Sequence, residues 1–150
     1  MFFHIQKNKI MPSLKTYDLF ISHAWSYNTD YYNLINLISN TPLFNWRNYS
    51  VPEHDPKIDP NSNAGKRVLL SGLDNQVRPV NCVLIISGMY AHYSYWINKE
   101  IELAQSYGKP IIGINPRGQE RAPTVVTNAA NEMVNWNTSS IVAAIRRNSI

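Results

Sequence analysis

Short, dense apolar runs alternate along this chain with longer stretches in which apolar residues recur every three or four positions. The first run, Tyr17-Asp-Leu-Phe-Ile-Ser22, stops at a polar cluster, Ser22 to Ser26, which predicts a buried strand followed by a loop. Tyr32, Ile35, Leu37 and Ile38 then recur at helical spacing behind Thr29 and Asp30, two good N-cap residues, and Thr41-Pro42 closes that helix. Phe44 to Tyr49 alternates as a strand with one buried face does. Ser50 to Gly65 carries three prolines and reads as a long loop, of a length that in compact domains is functional or disordered. Val68, Leu69 and Leu73 mark a helix over about Lys66 to Gln76.

Val80 to Ile86 is the densest apolar run, and its lack of alternation predicts a central parallel strand covered on both faces. After a loop from Ser87 to Ser94, Ser94 is placed to cap a helix from Tyr95 to about Tyr107, with Gly108 where a C-terminal cap glycine belongs. Pro110 to Ile114 is a further short strand. A loop bearing Pro and Gly, a weak strand near Met133 to Trp136 and a helix over about Thr138 to Arg147 complete the chain. Strand and helix thus alternate five times, which predicts a three-layer α/β fold with a parallel sheet. Right-handed crossovers favour the flavodoxin-like, doubly wound strand order 2-1-3-4-5 for five strands.

Composition narrows the class without changing that picture. At 150 residues and 44% hydrophobic content the chain matches one globular domain, taken as residues 17–150 behind an N-terminal arm, residues 1–16. That arm has no apolar run after a basic start, so it does not read as a signal peptide. No stretch reaches the roughly 18 apolar residues of a membrane span. The single cysteine, Cys82, sits inside the apolar Val80 to Ile86 run, so it reads as structural, and a cytoplasmic location follows. The net charge of +4 is scattered rather than striped among aromatics, which argues against nucleic acid and fits an anionic small molecule. Glu53-His54-Asp55 is an isolated acidic loop rather than a metal site, and neither a glycine-rich phosphate loop nor a Gly-x-Ser-x-Gly elbow is present.

In a sheet of this order ligands bind beyond the carboxyl ends of strands one and three. The crevice walls are then Ser22, His23, Ala24 and Trp25 on one side and Ser87, Tyr90, His92, Tyr93 and Ser94 on the other. On a wheel of about 100° per residue, Glu100 lies about 40° from Trp96, among Leu103, Tyr107, Ala104, Ile97 and Ile101. A carboxylate on an apolar face is rarely buried unless paired or functional. Glu100 is therefore the candidate catalytic residue, aimed back toward the helix start and the crevice. Burial would raise its pKa, and the helix N-terminus would lower it. The plain structural alternative is a half-buried ion pair with Arg47 or Arg78.

Tyr17-Asp-Leu-Phe-Ile-Ser22 resembles the opening strand of TIR domains. Ser94-Tyr-Trp-Ile-Asn-Lys-Glu100-Ile-Glu-Leu-Ala104, followed by Gly108-Lys-Pro-Ile-Ile112, resembles their third-helix segment, where a tryptophan stands four positions before the catalytic glutamate. Trp46-Arg-Asn-Tyr-Ser-Val-Pro52 and Val134-Asn-Trp-Asn137 are similar to the bacterial TIR-like branch that includes the signalling subunits of Thoeris anti-phage defence. The similarity runs from about Tyr17 to Ile145.

This resemblance implies cleavage of the nicotinamide–ribose bond of NAD⁺, taken as substrate rather than cofactor. Glu100 would then stabilise an oxocarbenium-like transition state or act as nucleophile, as carboxylates do in glycoside hydrolysis. Ser22 to Trp25, Arg47, Ser87, Tyr90, Ser94 and Trp96 would shape the pocket. Self-association, through the loop after the second strand, and a separate effector reached by a diffusible product are the partners it implies. Two alternatives stand beside it: a non-catalytic TIR-like scaffold, and a glycosidic enzyme of the nucleoside deoxyribosyltransferase kind.

Overall fold

The computed structural model describes residues 14–50 and 55–150. Strands β1 (Thr16–Ile21), β2 (Asn45–Asn48), β3 (Cys82–Ile86), β4 (Ile111–Ile114) and β5 (Glu132–Val134) form one sheet in the order β2-β1-β3-β4-β5. All four pairings are parallel, with Ile21 opposite Leu84 and Ile86 opposite Ile114 in the centre. The fold is the flavodoxin-like, doubly wound sheet expected from the sequence.

Among the described residues, helices α1 (Thr29–Ser39), α2 (Asn63–Val77), α3 (Tyr90–Ser106) and α4 (Thr124–Ala129) connect successive strands, and α5 (Thr138–Asn148) follows β5. Helix α1 packs on α5 and α2 on α3, as expected when helices cover both faces of a sheet. Every residue of β3 is buried, and so are Leu19, Phe20 and Ile21 of β1. Those two strands lack hydrophobic alternation because neither face meets water. Cys82 is part of this core, and burial pushes its thiol up to about 12, which leaves it inert.

Several boundaries differ from the sequence pattern. The N-cap of α1 is Asn28, whose side chain accepts from the Tyr31 N–H, rather than Thr29 or Asp30. Helix α2 starts at Asn63 on the Ser62 cap, inside the stretch read as loop. Helix α3 starts at Tyr90, four residues before Ser94, which is not its cap. Its first turn is masked in the sequence by a polar-aromatic run without apolar period. The helix then breaks at Tyr93 (φ −133°, ψ 32°) and resumes with Ser94. Helix α4 replaces part of the expected loop; six residues burying only Val126 carry no readable repeat. Gly108 does follow α3 with φ +66°, the left-handed conformation that ends helices. Trp136 lies beyond β5, with the Arg117 guanidinium 3.9 Å from its ring centroid.

Candidate functional site

The strand order reverses between β1 and β3, and Ser22 stitches their carboxyl ends together. Its N–H donates to the Leu84 carbonyl (2.8 Å), and its Oγ accepts from the Ile86 N–H (2.7 Å). Ser87, at the end of β3, donates through Oγ to the Ile114 carbonyl (2.5 Å). Both hydroxyls are buried and engaged, so they hold the strand ends in place.

After Ser22 the backbone enters a turn that few sequences adopt: Ala24, Trp25 and Tyr27 have φ of 49°, 55° and 50°. Left-handed angles cost non-glycine residues energy and persist only where the surroundings enforce them. His23 supplies much of that enforcement. Its Nδ1 accepts from the Trp25 N–H (2.9 Å), its carbonyl accepts from the Ser26 N–H (2.7 Å), and its ring stacks on Tyr27 at 4.6 Å and 6°. With Nδ1 as acceptor, the proton of the neutral ring is on Nε2, which donates to Gln76 Oε1 (2.9 Å). The Gln76 amide then donates to the Ser50 carbonyl (3.0 Å), which also accepts from the Tyr27 hydroxyl (2.7 Å). Tyr31 and Asn48 extend the same buried network around Ser50.

The product of this turn is a pair of backbone donors. The N–H groups of His23 (3.1 Å) and Ala24 (2.9 Å) both point at Glu100 Oε2. Glu100 is fully buried on the face of α3 that also buries Trp96, Ile97, Ile101 and Ala104. Its other oxygen, Oε1, has no hydrogen-bond partner among the described residues. Burial pushes the Glu100 carboxyl up to about 8, against the downward pull of the Ala24 and His23 N–H groups. Of the two opposing influences, burial wins. The ion-pair alternative fails: Arg47 binds Asp18 (2.6 Å) and Arg78 binds Asp74 (3.1 Å).

Beside this carboxyl lies a cleft of about 480 Å³. Ala24, Trp25 and Ser26 form one wall, His92 to Trp96 another, and Pro60, Asn61 and Lys66 the third. Trp25 meets Trp96 edge to face at 6.3 Å, and Ser26 Oγ donates to the Tyr93 hydroxyl (3.1 Å), tying the turn to the break in α3. Glu100 does not itself line the cleft. It is one hydrogen bond behind the wall, through Ala24. The third wall depends on Gly65: a Cβ there would stand 1.9 Å from the Asp59 carbonyl oxygen, a backbone atom. Gly65→Ala is expected to displace the Asp59 to Ser62 turn and lower stability by about 1–3 kcal/mol, the usual range for forced overpacking. Urea unfolding checks this, and an unchanged midpoint would refute the close approach.

Of the ten residues singled out from sequence, Ala24, Trp25, Ser94 and Trp96 line the cleft, and Ser22, His23 and Glu100 stand directly behind it. Ser87 is buried under β4, Tyr90 donates to Asn98 Oδ1 (3.2 Å), and Arg47 lies on edge strand β2, paired across the β1 register with Asp18. None of these three is part of the cleft wall. His92 and Tyr93 are on it, as the crevice argument expected. Asn61, Lys66, Tyr95 and Gln76 were missed. Gln76 carried a signal, as a polar residue on the apolar side of α2 near Leu69 and Leu73. No group of three or more metal-binding side chains occurs among the described residues, and Glu53 and His54 lie outside them. None of the helices among the described residues is long and apolar enough to cross a membrane.

Residues 20–121 match the family model of the Thoeris protein ThsB, TIR-like domain, over more than half of the chain. The chain belongs to this TIR-like family of Thoeris defence. The matched span of the TIR-like domain contains the whole left-handed turn, all three cleft walls and Glu100. No curated protein matches the sequence.

Proposed function

We propose that this TIR-like domain consumes NAD⁺ by breaking the bond between the nicotinamide nitrogen and the ribose anomeric carbon. One observation carries the reading: Glu100 is a fully buried carboxyl on two backbone donors, with Oε1 unpartnered among the described residues, directly behind an aromatic cleft. A protein-assembly surface needs no such group. Cleavage sends the bonding electron pair to nicotinamide, which leaves neutral, and positive charge develops on the ribose. A carboxylate beside that carbon stabilises the charge, and the cationic substrate in turn favours the ionised carboxyl over the neutral one that burial enforces. Trp25 and Trp96 offer faces and edges to planar rings, and Ser94 offers a hydroxyl at the wall.

In the sealed arrangement the Ala24–Trp25 turn covers Glu100, so substrate must displace it. Self-association is the natural trigger for that movement. The ADP-ribose then passes to water, to its own adenine ring or to another acceptor, which loses a proton as the new bond forms. A diffusible product that activates a separate effector fits the Thoeris context.

The test incubates the full chain at high concentration with NAD⁺ and follows nicotinamide by chromatography, with the second product identified by mass. Nicotinamide release is expected, and the mass gives the acceptor. Silence with purified protein and in extracts of phage-infected cells overturns the proposal. Turnover of deoxynucleosides without turnover of NAD⁺ would assign the site to a glycosidic enzyme of the other kind.

A further inference from the structure

Lys66 is the one lysine or arginine on the described walls of the cleft, and no aspartate or glutamate lines it. Its ammonium lies 4.3 Å from the centroid of the Tyr95 ring. Lys99 approaches the same ring at 5.5 Å but is ion-paired with Glu102 at 3.2 Å. Lys66 has no ion-pair partner among the described residues. The ring therefore holds in place a cation whose charge faces an open cleft, a modest attraction that leaves its hydrogen-bonding capacity available. Asn61 and Ser94, on the same walls, add an amide and a hydroxyl.

The placement along α3 relates this cation to the carboxyl. Tyr95 precedes Glu100 by five residues, about 7.5 Å of helical rise and about 140° around the axis, and Trp96, one turn before Glu100, lines the cleft between them. A ligand whose reacting sugar carbon meets Glu100 would thus lay its next group along the wall toward Tyr95 and Lys66. In a dinucleotide that next group is the pyrophosphate.

We propose that Lys66, with Asn61 and Ser94, forms a phosphate subsite that selects pyrophosphate-linked nucleotides over phosphate-free nucleosides. The proposal rests on the cleft being the NAD⁺ site, and it names the part of the substrate that the cleft reads. Carboxyl and ammonium divide the labour: one receives the cationic end of the substrate and the other its anionic middle.

The experiment measures calorimetric binding of ADP-ribose and of adenosine to the full chain and to Lys66→Met. The methionine keeps the unbranched apolar stem and removes the charge. ADP-ribose is expected to bind the variant about tenfold or more weakly, the worth of one charge-assisted contact, while adenosine binds both alike. Lys66→Arg is expected to retain most of the affinity, and added salt should weaken the parent more than Lys66→Met. Equal ADP-ribose affinities, or a parent that does not bind ADP-ribose, overturns the subsite. A parallel loss for adenosine also overturns it, since that marks a general disturbance of the cleft. Nicotinamide assays separate the two readings. Lys66-dependent ADP-ribose binding without nicotinamide release rejects cleavage and keeps the subsite, whereas release with Lys66-independent binding rejects the subsite alone.

Discussion

Glu100→Gln is expected to reduce nicotinamide release by about a thousandfold, the upper end of what removing one preorganised electrostatic group costs, while making the protein more stable at neutral and alkaline pH. Glutamine keeps an acceptor for the His23 and Ala24 N–H groups, so the turn keeps its anchor. The stability effect follows from proton linkage. The folded Glu100 carboxyl sits near 8, against 4.5 as its ordinary value. Below the lower value both folded and unfolded chains hold the proton, and stability is independent of this group. Between the two, only the folded chain holds it. Rising pH therefore favours unfolding, by up to about 1.4 kcal/mol per pH unit, and the slope ends above the folded value. The parent is expected to match Glu100→Gln near pH 4 and fall about 4 kcal/mol behind it by pH 8. Urea unfolding across that range measures the difference. A constant gap between the two proteins would mean that Glu100 is ionised in the folded state.

Gln76→Met carries the second large effect, at a residue with no contact to the cleft. The substitution preserves an unbranched side chain of similar size but deletes the acceptor for His23 Nε2–H and the donor to the Ser50 carbonyl. Losing two buried hydrogen bonds is expected to cost about 2–4 kcal/mol. At about 2–4 °C per kcal/mol for a chain of this size, the midpoint of thermal unfolding falls by about 5–15 °C. Activity is expected to fall further than the folded fraction does. Without Gln76 the His23 ring is no longer held as the Nε2–H form, and the alternative form would turn an N–H toward the Trp25 N–H, opposing the turn that presents both donors to Glu100. Comparing kcat at a temperature where both proteins are folded checks this. A variant with a lowered midpoint and parental kcat would show that Gln76 serves stability alone.

The sheet was legible because β3, β4 and the second half of β1 are densely apolar, and that pattern survives without any knowledge of contacts. Glu100 was legible for the opposite reason, a carboxyl at the angular position of apolar neighbours on α3. The turn from His23 to Tyr27 was not. Left-handed angles at Ala24 and Trp25 contradict the preferences of those residues, and the local bonds of His23 act there together with tertiary bonds from Gln76 and Glu100, distant in sequence. The third cleft wall was hidden likewise, since Lys66 looks like any solvated lysine on a helix until the loop before α2 folds beside α3. Arg47 misled because its strand partner Asp18 claims it, a pairing set by register rather than by composition.

The left-handed turn over Glu100 behaves as a cocked spring. The strain at Ala24 and Trp25 is held jointly by the carboxyl's grip on the two N–H groups and by the His23 ring, so an event that bares the carboxyl removes one of the two restraints. If one molecule in about a hundred were open, the apparent affinity for substrate would be weakened about a hundredfold, and under the proposed self-association a second copy that held Trp25 aside would restore it without touching a reacting atom. On that proposal, specific activity in the nicotinamide assay is expected to climb with protein concentration, and a specific activity independent of concentration would leave the turn to be opened by substrate alone.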